Sequence, residues 1–264
     1  MGRSTKTFKP NQSRRTKAIP LIRCAIFDLD DTLYDCMAQR IPPTHRYAAR
    51  AMVRAGLKAS VEAVYRARMK AFRTDPILKH IDDEVCRRFK AEDPERLSKI
   101  ARDAYFNCPV GKLTLFPGTL PLLRMLHAHG VKVFVVTFGE PTTQKAKVKS
   151  LGLAGHKAID KIFYADRDKL MTKEAAFQII QQEMNLPASQ MLIVGDRPSS
   201  EIRAGNELGM HTVRIRRGEF ASQDPEGRKE TSDYVVRSIS EVRKLPFAWS
   251  GDHIHHGSTK TRRG

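Results

Sequence analysis

The sequence predicts an α/β fold: a doubly wound, Rossmann-like parallel sheet into which an α-helical segment is inserted. Three observations predict it. From Leu113 onward, short apolar runs alternate with segments of helical period; the run Ala25-Ile26-Phe27 ahead of Asp28 supplies one further strand; and the stretch from Thr44 to Tyr105 has helical spacing throughout.

In chain order, residues 1–20 mix Lys, Arg, Ser, Thr, Asn and Gln without periodicity and read as a basic, disordered tail. Residues 21–35 and 112–245 make the α/β core, and residues 36–111 the helical insert. The first long helix of the insert carries Tyr47, Ala48, Ala51, Met52 and Ala55 at three-and-four spacing and stops at Gly56; Ser60 caps a second, with Val61, Val64 and Met69 apolar. Asp75-Pro76 starts a third helix and Asp93-Pro94 a fourth, since Asp caps a helix and Pro suits its first turn. In the core, residues 131–136, 161–165, 191–194 and 211–215 read as buried strands. Residues 119–129, 142–151, 172–185 and 199–208 read as amphipathic helices, several closed by glycines at Gly130, Gly152 and Gly209. Residues 246–264 read as a second polar tail, in which His253, His255 and His256 have no fixed geometry for a metal.

With 264 residues, 41% of them hydrophobic, the chain can bury a core. No apolar run approaches the ~20 residues of a membrane span, and no apolar segment precedes a cleavage site near the N-terminus, so the expected compartment is the cytoplasm. Cys24, Cys36, Cys86 and Cys108 lack CxxC spacing and are expected to be free thiols. The net charge of +18 is concentrated in the tails and the insert, where residues 36–111 hold 16 Lys and Arg against 9 acids. Such charge raises encounter rates with anions. Phosphorylated metabolites, nucleic acid and acidic lipid head groups stay open as the anion, as does a merely solvated basic face.

In a doubly wound sheet, ligands bind outside the carboxyl ends of the strands. Those ends carry reactive residues here. The strand at residues 24–27 ends in Asp28, Leu29, Asp30, Asp31 and Thr32; the strand at 131–136 ends in Thr137, Phe138 and Gly139; and the strand at 191–194 ends in Gly195-Asp196, with Glu201 five residues on. Lys173 stands at the start of the helix after residues 161–165.

The ordered set DLDDT-LYD, LFPGTLPLLRML, VVTFG, TKEAAF and VGDRPSSEIRAGNELGM resembles the haloacid dehalogenase-like (HAD) hydrolases, and within them the subfamily with a helical cap domain inserted after the first motif. The resemblance spans roughly residues 21–245. It implies a Mg²⁺-dependent phosphatase that hydrolyses a small phosphomonoester, of the nucleotide or sugar phosphate class, through an aspartyl-phosphate. The physics agrees: a phosphate dianion repels an attacking carboxylate, and a hard divalent cation with oxygen ligands compensates the clustered acids.

The resemblance also implies the roles. Asp28 would attack phosphorus and ligate Mg²⁺; Asp30 would protonate the leaving oxygen and then activate water, its main-chain carbonyl binding the metal; Asp196 would be the second carboxylate ligand. Thr137, Gly139 and Thr32 would bind the phosphate, Thr32 serving equally well as a cap. Lys173 would neutralise charge on the transferring group and orient Asp28, in preference to Lys169 because the apolar pattern of Ala176 and Phe177 begins beside it. Glu201 stands where the family usually has aspartate and would reach a metal-bound water rather than the metal. Asp31 reads as a turn residue, and Phe138 occupies a commonly polar position. In the cap, Arg46 is a candidate contact for an anionic leaving group, while His45 and His80 read as solvated helix residues.

Other functions stay in view. Phosphomutase chemistry would use the same residues. A 2-haloacid dehalogenase would need neither Asp30 nor Asp196. A nucleic-acid-associated protein tethered by the basic tails would show steep salt dependence, but no base-stacking or base-reading module supports it. The oligomeric state is left open.

Overall fold

The computed structural model describes residues 19–166 and 171–251; the basic tail through residue 18, Lys169 and the histidines of the C-terminal tail lie outside the described residues. The chain runs β1 (Leu21–Ile22), β2 (Cys24–Phe27), α1 (Cys36–Gln39), α2 (Ile41–Arg54), α3 (Val61–Thr74), α4 (Leu78–Arg88), α5 (Pro94–Phe106), α6 (Thr119–Ala128), β3 (Lys132–Phe138), α7 (Pro141–Ser150) and β4 (Lys161–Ala165). It continues through α8 (Lys173–Met184), β5 (Met191–Gly195), a π-helical turn (Pro198–Ile202), α9 (Arg203–Glu207), β6 (His211–Ile215), β7 (Tyr234–Val236) and β8 (Ala248–Trp249).

Six strands form one parallel sheet in the order β4-β3-β2-β5-β6-β7, with β2 at its centre: Ala25 sits between Val133 and Leu192, and Phe27 between Val135 and Val194. Alternate β2 side chains face opposite layers. Ala25 and Phe27 join the core under α6 and α7, whereas Cys24 and Ile26 join the core under α8 and α9. The chain leaves β2 toward β3 and β4, then returns to the other side of β2 as β5, β6 and β7. The order therefore switches beside β2, where such sheets open a crevice at their carboxyl edge.

Helices α2 to α5 pack on one another around Ala48, Met52, Val64, Val85, Leu97 and Ala101. As expected, the hydroxyl of Ser60 accepts from the Ala63 N–H (3.2 Å) and the Asp93 carboxylate from the Arg96 N–H (3.1 Å), each opening its helix. The third helix starts at Leu78, later than Asp75-Pro76 suggests, because the Asp75 carboxylate turns back onto the Ile77 N–H (3.0 Å) and His80 (2.6 Å).

Two expectations need correction, and one strand was not foreseen. The C-terminal tail does not begin at 246: Phe247 and Trp249 are buried in the core, and β8 pairs in parallel with β1, Leu21 beside Ala248 and Ile22 beside Trp249. Stacking among Tyr234, Phe247 and Trp249, with centroids 5.3 and 5.8 Å apart, outweighs the polar composition around them. Strand β7 escapes the sequence pattern because it is three residues long. His45 is fully buried, its ring 5.1 Å from Phe72 and 5.2 Å from Tyr105, whereas His80 is exposed and pairs with Asp75.

Candidate active site

Strand β2 delivers Asp28. Its four residues are buried, and the ladder continues one step beyond them through the Asp28 N–H, which donates to the Val194 carbonyl (2.9 Å). The chain then turns at Asp31, which adopts a positive φ of 55° and accepts from the N–H groups of Met37 (3.1 Å) and Glu219 (3.4 Å). Asp31 is thereby occupied in holding the turn.

Across the crevice, Thr172 caps α8 by accepting from the Ala175 N–H (3.0 Å), which sets Lys173 on the first residue of the helix. Its Nζ lies 2.5 Å from Asp28 Oδ1 and also contacts Glu201. Glu201 reaches this position on the π-helical turn, a feature common at functional sites, with its other oxygen accepting from the Arg197 N–H (3.3 Å). A Cβ on Gly195 would lie 2.8 Å from the Glu201 side chain, so only glycine lets that side chain rest against the strand. Asp196 lines the same cleft and is buried.

The charges are unbalanced. Burial pushes the Asp28 carboxyl up to about 7, against the pull of Lys173 and with a further push from Glu201. Burial, then the charges of Asp28 and Glu201, pushes Asp196 up to about 9. Burial works against the Lys173 ammonium too, but Asp28 and Glu201 hold its pKa above the usual lysine range. Three buried acids face one lysine.

Asp30 is paired separately. Lys147 Nζ donates to both of its oxygens (2.9 and 2.8 Å), and the Tyr34 hydroxyl donates to Oδ1 (2.5 Å). Burial raises the Asp30 pKa, but these donors more than reverse it and leave it below the usual carboxylate range.

The remaining expected residues divide. Gly139 lines the cleft, and its φ of 144°, which a residue with a Cβ rarely adopts, accounts for the glycine; a Cβ there would also press on the Gln144 amide at 2.6 Å. Thr137 does not open on the cleft: its buried hydroxyl donates to Gln144 Oε1 (3.0 Å). Thr32 is also off the cleft, and its buried hydroxyl has no hydrogen-bond partner among the described residues. Phe138 lines the cleft and is partly exposed.

The cap roofs the site with Met37, Arg40, Ile41, Thr44, Tyr105 and Phe106, enclosing with the core a cleft of about 640 Å³. Arg46 is not part of it. That guanidinium pairs with Glu62 (2.6 Å) and lies 4.0 Å over the Tyr65 ring, so the expectation of a leaving-group contact is corrected. The cap arginine that lines the cleft is Arg40, whose donors go to the carbonyls of Cys108 (2.7 Å) and Pro109 (3.0 Å); from the core, Arg197 lines it too, 4.5 Å over the Phe220 ring.

Sequence reasoning missed Lys147, Gln144, Tyr34 and Arg40. A signal for two of them existed in residues 141–150, PTTQKAKVKS: a helix packed on a sheet with Val148 as its one large apolar residue must bury polar ones, and it buries Gln144 and Lys147.

Among the described residues, no group of three or more His, Cys, Asp or Glu side chains could hold a metal ion unaided. The arrangement nevertheless suits Mg²⁺, which takes one or two carboxylates and fills its shell with water and substrate oxygens. Asp28 and Asp196 offer hard oxygen donors whose pKa values burial raises, so that a cation beside them would favour their charged forms.

Fold and site together define a capped α/β enzyme built around buried carboxylates at the switch of a parallel sheet. Residues 22–209 match the haloacid dehalogenase-like hydrolases, and the chain belongs to that family. It is 31% identical to a glyceraldehyde 3-phosphate phosphatase of Methanocaldococcus jannaschii, over 84% of this chain and 96% of the relative. A glyceraldehyde 3-phosphate phosphatase of Methanopyrus kandleri is 29% identical, with the same coverage of 84% and 96%. Among solved structures, a HAD-hydrolase of Bacillus subtilis bound to magnesium aligns with a TM-score of 0.59 at 19% identity, over 84% of this chain and 97% of that one, a likeness of fold. Members of this family generally use Mg²⁺.

Proposed function

We propose that this hydrolase is a Mg²⁺-dependent phosphatase acting on a small sugar phosphate of the glyceraldehyde 3-phosphate class, through an aspartyl-phosphate on Asp28. One observation carries the reading: Asp28 stands at the end of the central strand, in a water-accessible cleft, with Lys173 2.5 Å from one carboxylate oxygen and Asp196 beside it. The substrate class draws support from the two archaeal relatives and from the roof of the site. The cap presents Met37, Ile41, Tyr105 and Phe106 to the cleft, and its one arginine there is committed to main-chain carbonyls. A small neutral leaving group suits that surface better than one with a second anionic group, so the reading favours a sugar phosphate over a nucleotide.

In this mechanism Asp30, ionised beside Lys147 in the free enzyme, takes up the proton of a monoanionic phosphate ester as it binds; Asp28 then attacks phosphorus, and the bond to the leaving oxygen breaks as Asp30 gives that oxygen the proton. Asp30 then takes a proton from the water that attacks the phosphoryl group, and Asp28 is released with inorganic phosphate. Lys173 holds Asp28 in line and balances charge on the transferring group. Mg²⁺, held by the carboxylates of Asp28 and Asp196 and the main-chain carbonyl of Asp30, would neutralise the phosphoryl oxygens. Glu201 acts through Lys173 rather than on the substrate. Dehalogenation is disfavoured by the presence of Asp30 and Asp196.

A cytoplasmic setting is part of the same reading, since Cys24, Cys36, Cys86 and Cys108 are all buried free thiols. Among the described residues, no helix is long and apolar enough to cross a membrane.

The test is a panel of phosphorylated metabolites assayed with Mg²⁺ and with EDTA, alongside Asp28→Asn. Phosphate release that favours triose phosphates, needs Mg²⁺ and vanishes in Asp28→Asn is the expected result. Unchanged turnover in Asp28→Asn would refute the nucleophile, and preference for a nucleotide or bisphosphate would refute the substrate class.

A further inference from the structure

Helix α7 buries a lysine where a structural helix would bury an aliphatic residue. Its inward positions are Gln144, Lys147 and Val148, at the spacing that puts side chains on one face. Both polar members reach residues of the site. Gln144 accepts from Thr137 and donates to the Phe138 carbonyl (3.1 Å), and Lys147 donates to both oxygens of Asp30. The lysine side chain is 7% exposed, whereas Asp30, 31% exposed, faces the cleft.

For stability alone this is a poor choice. Removing a lysine and a carboxylate from water carries a desolvation penalty that their attraction often only matches, and an apolar pair of similar volume commonly does as well. The geometry, in contrast, is specific. Two bonds from one ammonium and a third from the Tyr34 hydroxyl, which shares Oδ1, leave the carboxylate little freedom to turn about its bond to Cβ. The tether comes from an element other than the strand-end turn that carries Asp30, so it fixes the side chain independently of that turn. Lys173 has no part in it, being engaged with Asp28 and Glu201.

We propose that Lys147 is a positioning residue for the reaction, holding the Asp30 carboxyl where it meets the leaving oxygen. The inference rests on the phosphatase reading above. In the first step the proton that Asp30 takes up from the bound monoanionic ester passes to the leaving oxygen as the phosphorus–oxygen bond breaks, so a carboxyl that wanders loses this transfer while the attack by Asp28 is left intact. The dependence on leaving group separates the two. An alkyl phosphate, with a poor leaving group, needs the proton; a p-nitrophenyl phosphate scarcely does.

The experiment measures kcat/KM, which reports events up to formation of the aspartyl-phosphate, for an alkyl and an aryl phosphate in the wild type, Lys147→Met, Lys147→Arg, Asp30→Asn and the double variant Lys147→Met/Asp30→Asn. The alkyl-to-aryl ratio should fall by about 10- to 100-fold in Lys147→Met, part of the 10²- to 10⁴-fold that a placed general acid contributes. Lys147→Arg should restore part of the ratio, and the double variant should be no worse than Asp30→Asn alone. The aryl activity shows that each variant is folded, and Lys147→Gln, which keeps a donor in the same space, replaces Lys147→Met should that variant not fold. Equal losses on both substrates, a raised KM with kcat unchanged, or additive losses in the double variant would overturn the inference. Asp28→Asn is run in parallel. A wild type active only with Asp28 intact, whose alkyl-to-aryl ratio ignores Lys147, refutes this inference alone; a wild type inactive on both phosphates refutes the phosphatase reading and this inference with it.

Discussion

Lys173 joins two carboxylates that arrive from different strands: its Nζ is 2.5 Å from Asp28 at the end of β2 and contacts Glu201, which follows β5. The bridge fixes the distance between the halves of the crevice. Removing it leaves both acids buried without a cation, so Lys173→Met should lose about 3–5 kcal/mol of stability near neutral pH. The deficit should narrow as the pH falls, since a protonated carboxyl needs no partner. Denaturant unfolding at pH 8 and at pH 5.5 measures both effects, and phosphatase activity should fall by about 10²-fold or more.

Burial raises the pKa of both Asp28 and Asp196, the charge of Asp28 raises that of Asp196 further, and a divalent cation between them would offset the burial of both. Added Mg²⁺ should therefore raise the thermal midpoint of the wild type, by an amount equivalent to about 2.7 kcal/mol at a hundred times its Kd. Asp196→Asn should lose most of that response, and EDTA should abolish turnover. Calorimetric scans across Mg²⁺ concentration provide the measurement; an undiminished response in Asp196→Asn would remove that residue from the metal site.

His45 should make the cap acid-sensitive. Burial, helped by the positive charge of Arg68, lowers its pKa from 6.5 to about 3. Below pH 6.5 the unfolded chain binds a proton that the folded one refuses, so stability contributed by the neutral ring is lost as the pH falls from there toward 3. The loss amounts to a few kcal/mol, at about 1.4 kcal/mol per pKa unit. In His45→Leu the unfolding free energy should vary less over this window. An identical pH profile for the two proteins would contradict it.

Trp249 closes the core beneath β1. Trp249→Ala should destabilise the protein by about 3–5 kcal/mol, as removal of a buried aromatic side chain commonly does, while leaving kcat/KM of the folded enzyme near the wild-type value. Equilibrium unfolding and steady-state kinetics on the same preparation separate the two effects.

The central strands were legible because a parallel sheet covered on both faces requires continuous apolar runs, as in Ala25-Ile26-Phe27 and residues 191–194. Asp28, Asp30, Lys173, Asp196 and Glu201 could be placed on one crevice because topology brings strand ends together. What escaped depends on partners distant in the chain. Lys147 meets Asp30 across 117 positions, and nothing local to either residue signals the pairing. His45 stands between Thr44 and Arg46 in sequence, and only the packing of α2 against Phe72 and Tyr105 buries it. Trp249 stands at the head of a polar run whose composition suggests a tail, while its actual environment is set by a two-residue strand pairing with β1.

The most direct test of the account is to trap the phosphoryl group on its acceptor. Asp30→Asn, mixed with p-nitrophenyl phosphate and Mg²⁺, should release a burst of about one p-nitrophenol per chain, because attack needs little acid help and water attack then lacks its base. Borohydride reduction after the quench should convert the phosphorylated aspartate to homoserine, and peptide mapping should place it at position 28. A burst whose label maps to Asp196 or elsewhere, or steady turnover with Asp28 never modified, would contradict the account.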